Sequence, residues 1–132
     1  MKSQKQFILD TLLPYKQDPT TCAIVNYSCV YLTEDGRKCA VGKHMKKGPW
    51  QKNRKGVVAV LEKYLKEKVL KKSALSQNFT VSQWTLIQDY HDKCSGQMHG
   101  FQKRIQKQLN EIVLLLEESL DIELTELKFY KQ

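Results

Sequence analysis

Apolar residues recur at helical spacing in four stretches of the chain. Phe7, Ile8, Leu9 and Leu12 predict a helix from about Gln4 to Leu13. Ser3-Gln4-Lys5-Gln6 opens it as a capping box, Ser3 capping and Gln6 reaching back, and Pro14 stops it. Val57, Val58, Leu61, Tyr64, Leu65 and Val69 predict a second helix, from Val57 to Lys72. Glu62 with Lys66 and Glu67 with Lys71 support it as four-apart pairs, and its lysine-rich outer face reads as solvated. A third begins at the capping box Thr80-Val81-Ser82-Gln83 and runs to about Cys94, closed by Ser95-Gly96; Trp84, Ile87, His91 and Cys94 share one face. The longest, Phe101 to Leu120, carries the stripe Phe101, Ile105, Leu109, Ile112, Leu116 and Leu120, widened by Val113 and Leu115, with Leu114 off it as a candidate dimer contact. The segment from Asp121 to Gln132 fits either a strand, through Ile122 and Leu124, or a continued helix, through Leu120, Leu124 and Leu127.

Between the first two helices the pattern changes. Val30-Tyr31-Leu32 and Ala40-Val41 favour strands and flank Thr33-Glu34-Asp35-Gly36-Arg37. Asp-Gly between apolar runs is a strong hairpin signal, because Gly, and Asp to a lesser degree, tolerate positive φ. Two registers fit. A two-residue loop at Asp35-Gly36 puts Tyr31 opposite Ala40 and separates Cys29 and Cys39 onto opposite faces. A three-residue loop at Glu34-Asp35-Gly36 puts Tyr31 opposite Cys39 and makes the two thiols diagonal neighbours. Cys22 to Val25 reads as an extended segment leading in. The expected fold is α+β: one domain over residues 1–132, with one β-hairpin, and room for a third short strand, packed on about four helices.

Charge sharpens this picture. The net charge is +8, and from Arg37 to Lys55 there are eight basic residues and no acid: Arg37, Lys38, Lys43, Lys46, Lys47, Lys52, Arg54 and Lys55. Acids gather late, at Glu111, Glu117, Glu118, Asp121, Glu123 and Glu126. Such a dipolar surface steers anionic partners. Trp50 lies in the basic loop, within Gly48-Pro49-Trp50, where an indole either stacks on a base or folds back as a loop anchor. These nine residues are the candidate ligand site, for a nucleotide, a nucleic acid or an acidic protein. The longest aliphatic run, Ile112 to Leu116, is too short to cross a bilayer, and Asp10 interrupts the first apolar patch, so no membrane and no signal peptide are expected.

Four cysteines in a cytosolic chain are reduced by default and usually buried. Cys29, Cys39, His91 and Cys94 are the candidate metal ligands, with His91 and Cys94 three apart on one helix. No Cys-x2-Cys is present, so the expectation is no cofactor, with a structural zinc as the alternative.

The pattern Cys29-x-Tyr31-x4-Gly36-x2-Cys39-Ala40-Val41-Gly42, followed by Trp84 and His91-Asp92, resembles a family of small proteins from tailed bacteriophages and prophages. The resemblance covers roughly residues 22–94. Where the family pattern often continues with another cysteine and an apolar-acidic segment, this chain has Lys43-His44-Met45-Lys46-Lys47. The resemblance implies a phage accessory protein in the cytoplasm of the infected bacterium; a monomer or a homodimer is expected. The expected role is a non-enzymatic binder that antagonises a host process, such as a defence system, the acidic protein then being a host protein. One alternative is a nucleic-acid-binding regulator. The other is a metal-dependent phosphoester hydrolase using His91 and Asp92, with His44 and Asp121 as the loose candidates for its remaining ligands.

Overall fold

A computed structural model describes residues 2–26, 28–52, 57–100 and 102–130, with the backbone alone at 52, 57–61 and 99. Among these are five α-helices and one two-stranded antiparallel hairpin, an α+β arrangement around a shared core. The helices are α1 (Gln4–Gln17), α2 (Val57–Lys66), α3 (Lys72–Leu75), α4 (Val81–Ser95) and α5 (Gln102–Leu120). The strands are β1 (Ile24–Val25) and β2 (Ser28–Cys29). No helix among the described residues is long and apolar enough to cross a membrane.

Helix α4 is the axis of the packing and contacts α1, α2 and α5. Its capping box forms in full: Thr80 Oγ1 accepts from Gln83 N at 3.1 Å, and Gln83 Oε1 accepts from Thr80 N at 2.9 Å. Trp84, Ile87, His91 and Cys94 are all buried, as their spacing predicts. On α5, Leu109, Ile112, Val113 and Leu116 are buried, but Leu115 is 52% exposed and does not widen the stripe.

Helix α1 runs past Pro14 to Gln17, beyond its expected end. A proline inside a helix removes one backbone bond, and tertiary contacts outweigh that loss. Tyr15 is buried and its hydroxyl donates to Lys38 O at 2.6 Å, while Lys16 Nζ donates to the carbonyls of Glu126 and Lys128. Ser3 caps the other end by accepting from Gln6 N, but the Gln6 side chain donates to Asp10 instead of reaching back.

The paired strands lie before the expected hairpin. Ile24 faces Cys29 and Val25 faces Ser28, with Asn26 at positive φ in the turn. Around Asp35-Gly36 there is a tight turn with a single bridge, Leu32 to Lys38. That bridge sets the three-residue loop, because Cys39 N donates to Tyr31 O and Gly36 takes φ +89°. The second arm never becomes a strand. Val41 is helical, and the chain enters a 3-10 turn at Gly42–His44. Gly42 is required there, since a Cβ would stand 2.1 Å from the Tyr31 carbonyl oxygen.

A second unexpected pairing joins Met45 to Leu70, with Lys46 N donating to Val69 O and Lys71 N to His44 O. It brings the basic segment against the residues after α2. The segment after α5 is neither strand nor helix. It turns at Asp121 (φ +53°), forms a 3-10 turn at Thr125–Leu127, and buries Leu124 and Leu127. Asn110 holds it through both side-chain atoms, donating to Phe129 O and accepting from Phe129 N, each at 2.7 Å.

Candidate functional site

Two polar regions hold the residues singled out by the sequence. The first is built on α4, which presents Gln88, His91 and Asp92 at positions i, i+3 and i+4 toward β2 and the turn before Gly42. Ala23 N donates to His91 Nε2 at 2.9 Å, so Nε2 carries no proton. The ring proton is therefore on Nδ1, which donates to Asp92 Oδ1 at 2.7 Å. Gln88 Oε1 accepts from Val41 N at 3.0 Å, and its amide nitrogen donates to Cys29 Sγ at 2.9 Å and Asp92 Oδ1 at 2.8 Å. Gly42 N donates to Cys39 Sγ at 3.2 Å. The Cys-to-Gly block and the His-Asp pair thus meet in one network that clamps α4 to the hairpin.

Of the candidate ligands Cys29, Cys39, His91 and Cys94, the first three gather here. Cys94 lies instead with Tyr90, its hydrogen-bond partner, and near Cys22. Asp92 takes the fourth place, and Cys29, His91 and Asp92 offer ligand atoms within 4.8 Å of one another. The Gln88 amide nitrogen sits among all three, 2.9, 2.8 and 3.2 Å from Cys29 Sγ, Asp92 Oδ1 and His91 Nδ1. It stands where a cation would. A metal on Nδ1 would also move the ring proton to Nε2, against the Ala23 N–H. The donor set therefore fits a hydrogen-bond network better than an ion.

The same geometry leaves little for catalysis. Both His91 nitrogens are committed, so neither can serve Cys29 as a base. The adjacent Cys39 thiol and burial hold the Cys29 thiol far above its usual range, and burial pushes the Cys22 thiol up to about 12. Both stay protonated at neutral pH. His44 is tied to Thr11 and Phe7, not to His91 or Asp92.

The second region is the basic segment. Two of its cations belong to the scaffold. Arg37 pairs with Asp35 and donates to Cys22 O at 2.9 Å. Lys43 Nζ donates to Thr11 O at 2.9 Å and lies 3.9 Å from the Tyr15 ring centroid. Burial brings the Lys43 ammonium down to about 8. Lys38, Lys46 and Lys47 are exposed and make no ion pair among the described residues. Trp50 donates its indole N–H to Lys46 O at 2.7 Å and packs partly buried against the core, the loop-anchor arrangement. Of the remaining candidates, the Lys52 side chain, Arg54 and Lys55 lie outside the described residues.

Beside this segment a cleft of about 770 Å³ opens between α1, the 3-10 turn at Gly42–His44 and α3. Lys2, Lys43, His44 and Lys71 line it, with Thr11, Ser73 and Gln77. Thr11 Oγ1 donates to Phe7 O at 2.8 Å, so it accepts from His44 Nε2–H at 2.8 Å. His44 stacks on Phe7 with centroids 4.3 Å apart. Burial first, then the charges of Lys43, Lys71 and Lys2, bring its imidazole down to about 4, so it is neutral at pH 7. Sequence reasoning missed Lys2, Lys71 and Gln88. Gln88 alone had a signal: a lone amide four residues after Trp84 and three before His91, on an otherwise apolar helix face.

No family model, curated protein or solved structure matches this chain.

Proposed function

We propose that this chain is a non-enzymatic binding protein, of the phage accessory kind its Cys-to-Gly block resembles, which engages an anionic partner through its basic face. It would act in the infected bacterium by occupying a host component, such as one of defence. The carrying observation is the contrast in charge pairing: Lys38, Lys46 and Lys47 are exposed and without an ion pair among the described residues, beside a cleft ringed by three further lysines. Unpaired like charges along one short segment cost self-repulsion and raise the local concentration of anions. The committed nitrogens of His91 and the protonated thiols favour binding over chemistry.

The test is capture from lysate of phage-infected bacteria by the wild type and by the variant Lys38→Glu, Lys46→Glu, Lys47→Glu. The wild type should retain one dominant acidic protein or nucleic acid, released as salt rises. The variant should lose it while keeping the wild-type circular dichroism. Equal capture by both proteins overturns the reading.

A further inference from the structure

We propose that the cleft lined by Lys2, Lys43, His44 and Lys71 binds a small phosphomonoester, with room for a nucleoside attached to the phosphate. This rests on the reading of the basic face as an anion-binding surface and assigns its cleft a ligand class. Three observations carry it.

The first is size. About 770 Å³ lies within the range of small-molecule sites and exceeds what a bare phosphate fills. The second is charge. Three lysines against Asp10 leave a formal +2 among the lining residues, and Lys2 is the one paired with Asp10, at 2.7 Å. Lys71 is exposed and has no acid opposite it among the described residues, so it is the ammonium a dianionic phosphate would meet, with Lys43, whose Nζ is anchored on Thr11 O, adding its charge and remaining donors. All three lysines line the cleft together with His44, so their charges border one space.

The third is preorganisation. The walls come from chain segments far apart in sequence and are tied directly to one another. Gln4 Nε2 donates to Gln77 O at 2.8 Å, and Gln77 Nε2 donates to Lys2 O at 2.9 Å. Lys71 N donates to His44 O at 2.7 Å, and Lys43 Nζ to Thr11 O at 2.9 Å. A ligand entering such a site orders little that is not already ordered. With Nε2–H given to Thr11, His44 Nδ1 is left as a neutral acceptor that takes no hydrogen bond from the described residues. It offers a place for a hydroxyl or amine proton of the ligand, beside the cationic phosphate seat.

Titration calorimetry on the full chain tests this, with inorganic phosphate, nucleoside 5′-monophosphates and the matching nucleosides as probes. A nucleoside monophosphate should bind, its nucleoside should not, and inorganic phosphate should bind more weakly than the monophosphate. Lys71→Ala, an exposed position, should weaken the monophosphate about tenfold without loss of fold. The Lys38→Glu, Lys46→Glu, Lys47→Glu variant should keep monophosphate affinity within about threefold, because these side chains lie outside the cleft and act only through screened distance. Cleft binding that survives the loss of partner capture separates the two proposals. Nucleoside and monophosphate binding alike, no heat from any monophosphate at millimolar concentration, or unchanged affinity in Lys71→Ala each overturns the assignment.

Discussion

Around His91, the side chains of Gln88 and His91 find all their partners inside the chain, and Asp92 Oδ1 takes two of those bonds. Gln88 spends both ends and His91 both nitrogens. Around His44 the arrangement is looser. Lys71, Lys46 and Lys47 have no acid opposite them among the described residues, and His44 keeps an open acceptor. Both regions hold a histidine, and both draw on the segment from Cys29 to Lys47. They differ in what remains unsatisfied. A closed network stabilises and specifies a fold, whereas an open one keeps its interaction energy for a ligand. By that criterion the Cys-to-Gly block belongs to the scaffold, and Lys43-His44-Met45-Lys46-Lys47 borders the region whose polar groups are not all spent.

The strongest way to break this comparison is Gly42→Ala. A Cβ 2.1 Å from the Tyr31 carbonyl cannot be relieved by a rotamer change, so the cost should be about 4 kcal/mol or more. Urea unfolding measures it; a near-native midpoint would show that the turn can shift. Next comes His91→Ala, which empties a fully buried position and strands the Ala23 N–H. About 3 kcal/mol should be lost, with monophosphate affinity unchanged in whatever fraction stays folded. A selective loss of ligand binding at full stability would instead place His91 in the site.

The two regions should also answer alkali with opposite signs. The Cys22 thiol is held at about 12 against an ordinary 9.0, so its contribution is complete below pH 9 and is lost as pH rises toward 12. The Lys43 ammonium is held at about 8 against 10.5, so its contribution grows as pH rises from 8 to 10.5. Urea midpoints against pH should therefore fall less above pH 9 in Cys22→Ala than in the wild type. They should fall more steeply in Lys43→Met, which lacks the compensating gain. Superimposable slopes in all three proteins would remove the distinction. The smallest effect on stability belongs to Lys38→Ala, Lys46→Ala and Lys47→Ala together. Their removal should change the midpoint by no more than about 0.5 kcal/mol equivalent while reducing partner capture severalfold. A large loss of stability would mean that these lysines serve the fold.

Much of the fold was legible in the sequence because its signals are local. The Thr80 capping box lies within four residues, and the face of α4 repeats at helical spacing. The extension of α1 beyond Pro14 was not legible, because Tyr15 and Lys16 are held by residues 38, 126 and 128. The hairpin was placed too late for a similar reason. Ala40 and Val41 have strand propensity, yet Gly42 N–H is taken by Cys39 Sγ and Val41 N–H by Gln88, which turns the chain into a 3-10 segment. The candidate ligand site was half legible. Its charge was visible along the chain, but nothing in the sequence separated Arg37 and Lys43, which brace the scaffold, from Lys38, Lys46 and Lys47, which do not.

What the sequence by itself determined is the presence of four of the five helices, the three-residue reach of the Asp35-Gly36 turn as one of two registers, and an excess of positive charge in one segment. It did not determine that α2 stops at Lys66 and a short α3 follows at Lys72–Leu75. Helical periods, caps and turn residues act over a few positions, so they are written where they operate. Only the tertiary structure decided which polar groups are spent. Ala23 meets His91 across 68 residues, Gln4 meets Gln77 across 73, and Lys71 meets His44 through a pairing that no local pattern announces. Hydrogen bonds and ion pairs form at about 3–4 Å. Their partners are therefore set by where distant segments come to rest, and that is a property of the packed core.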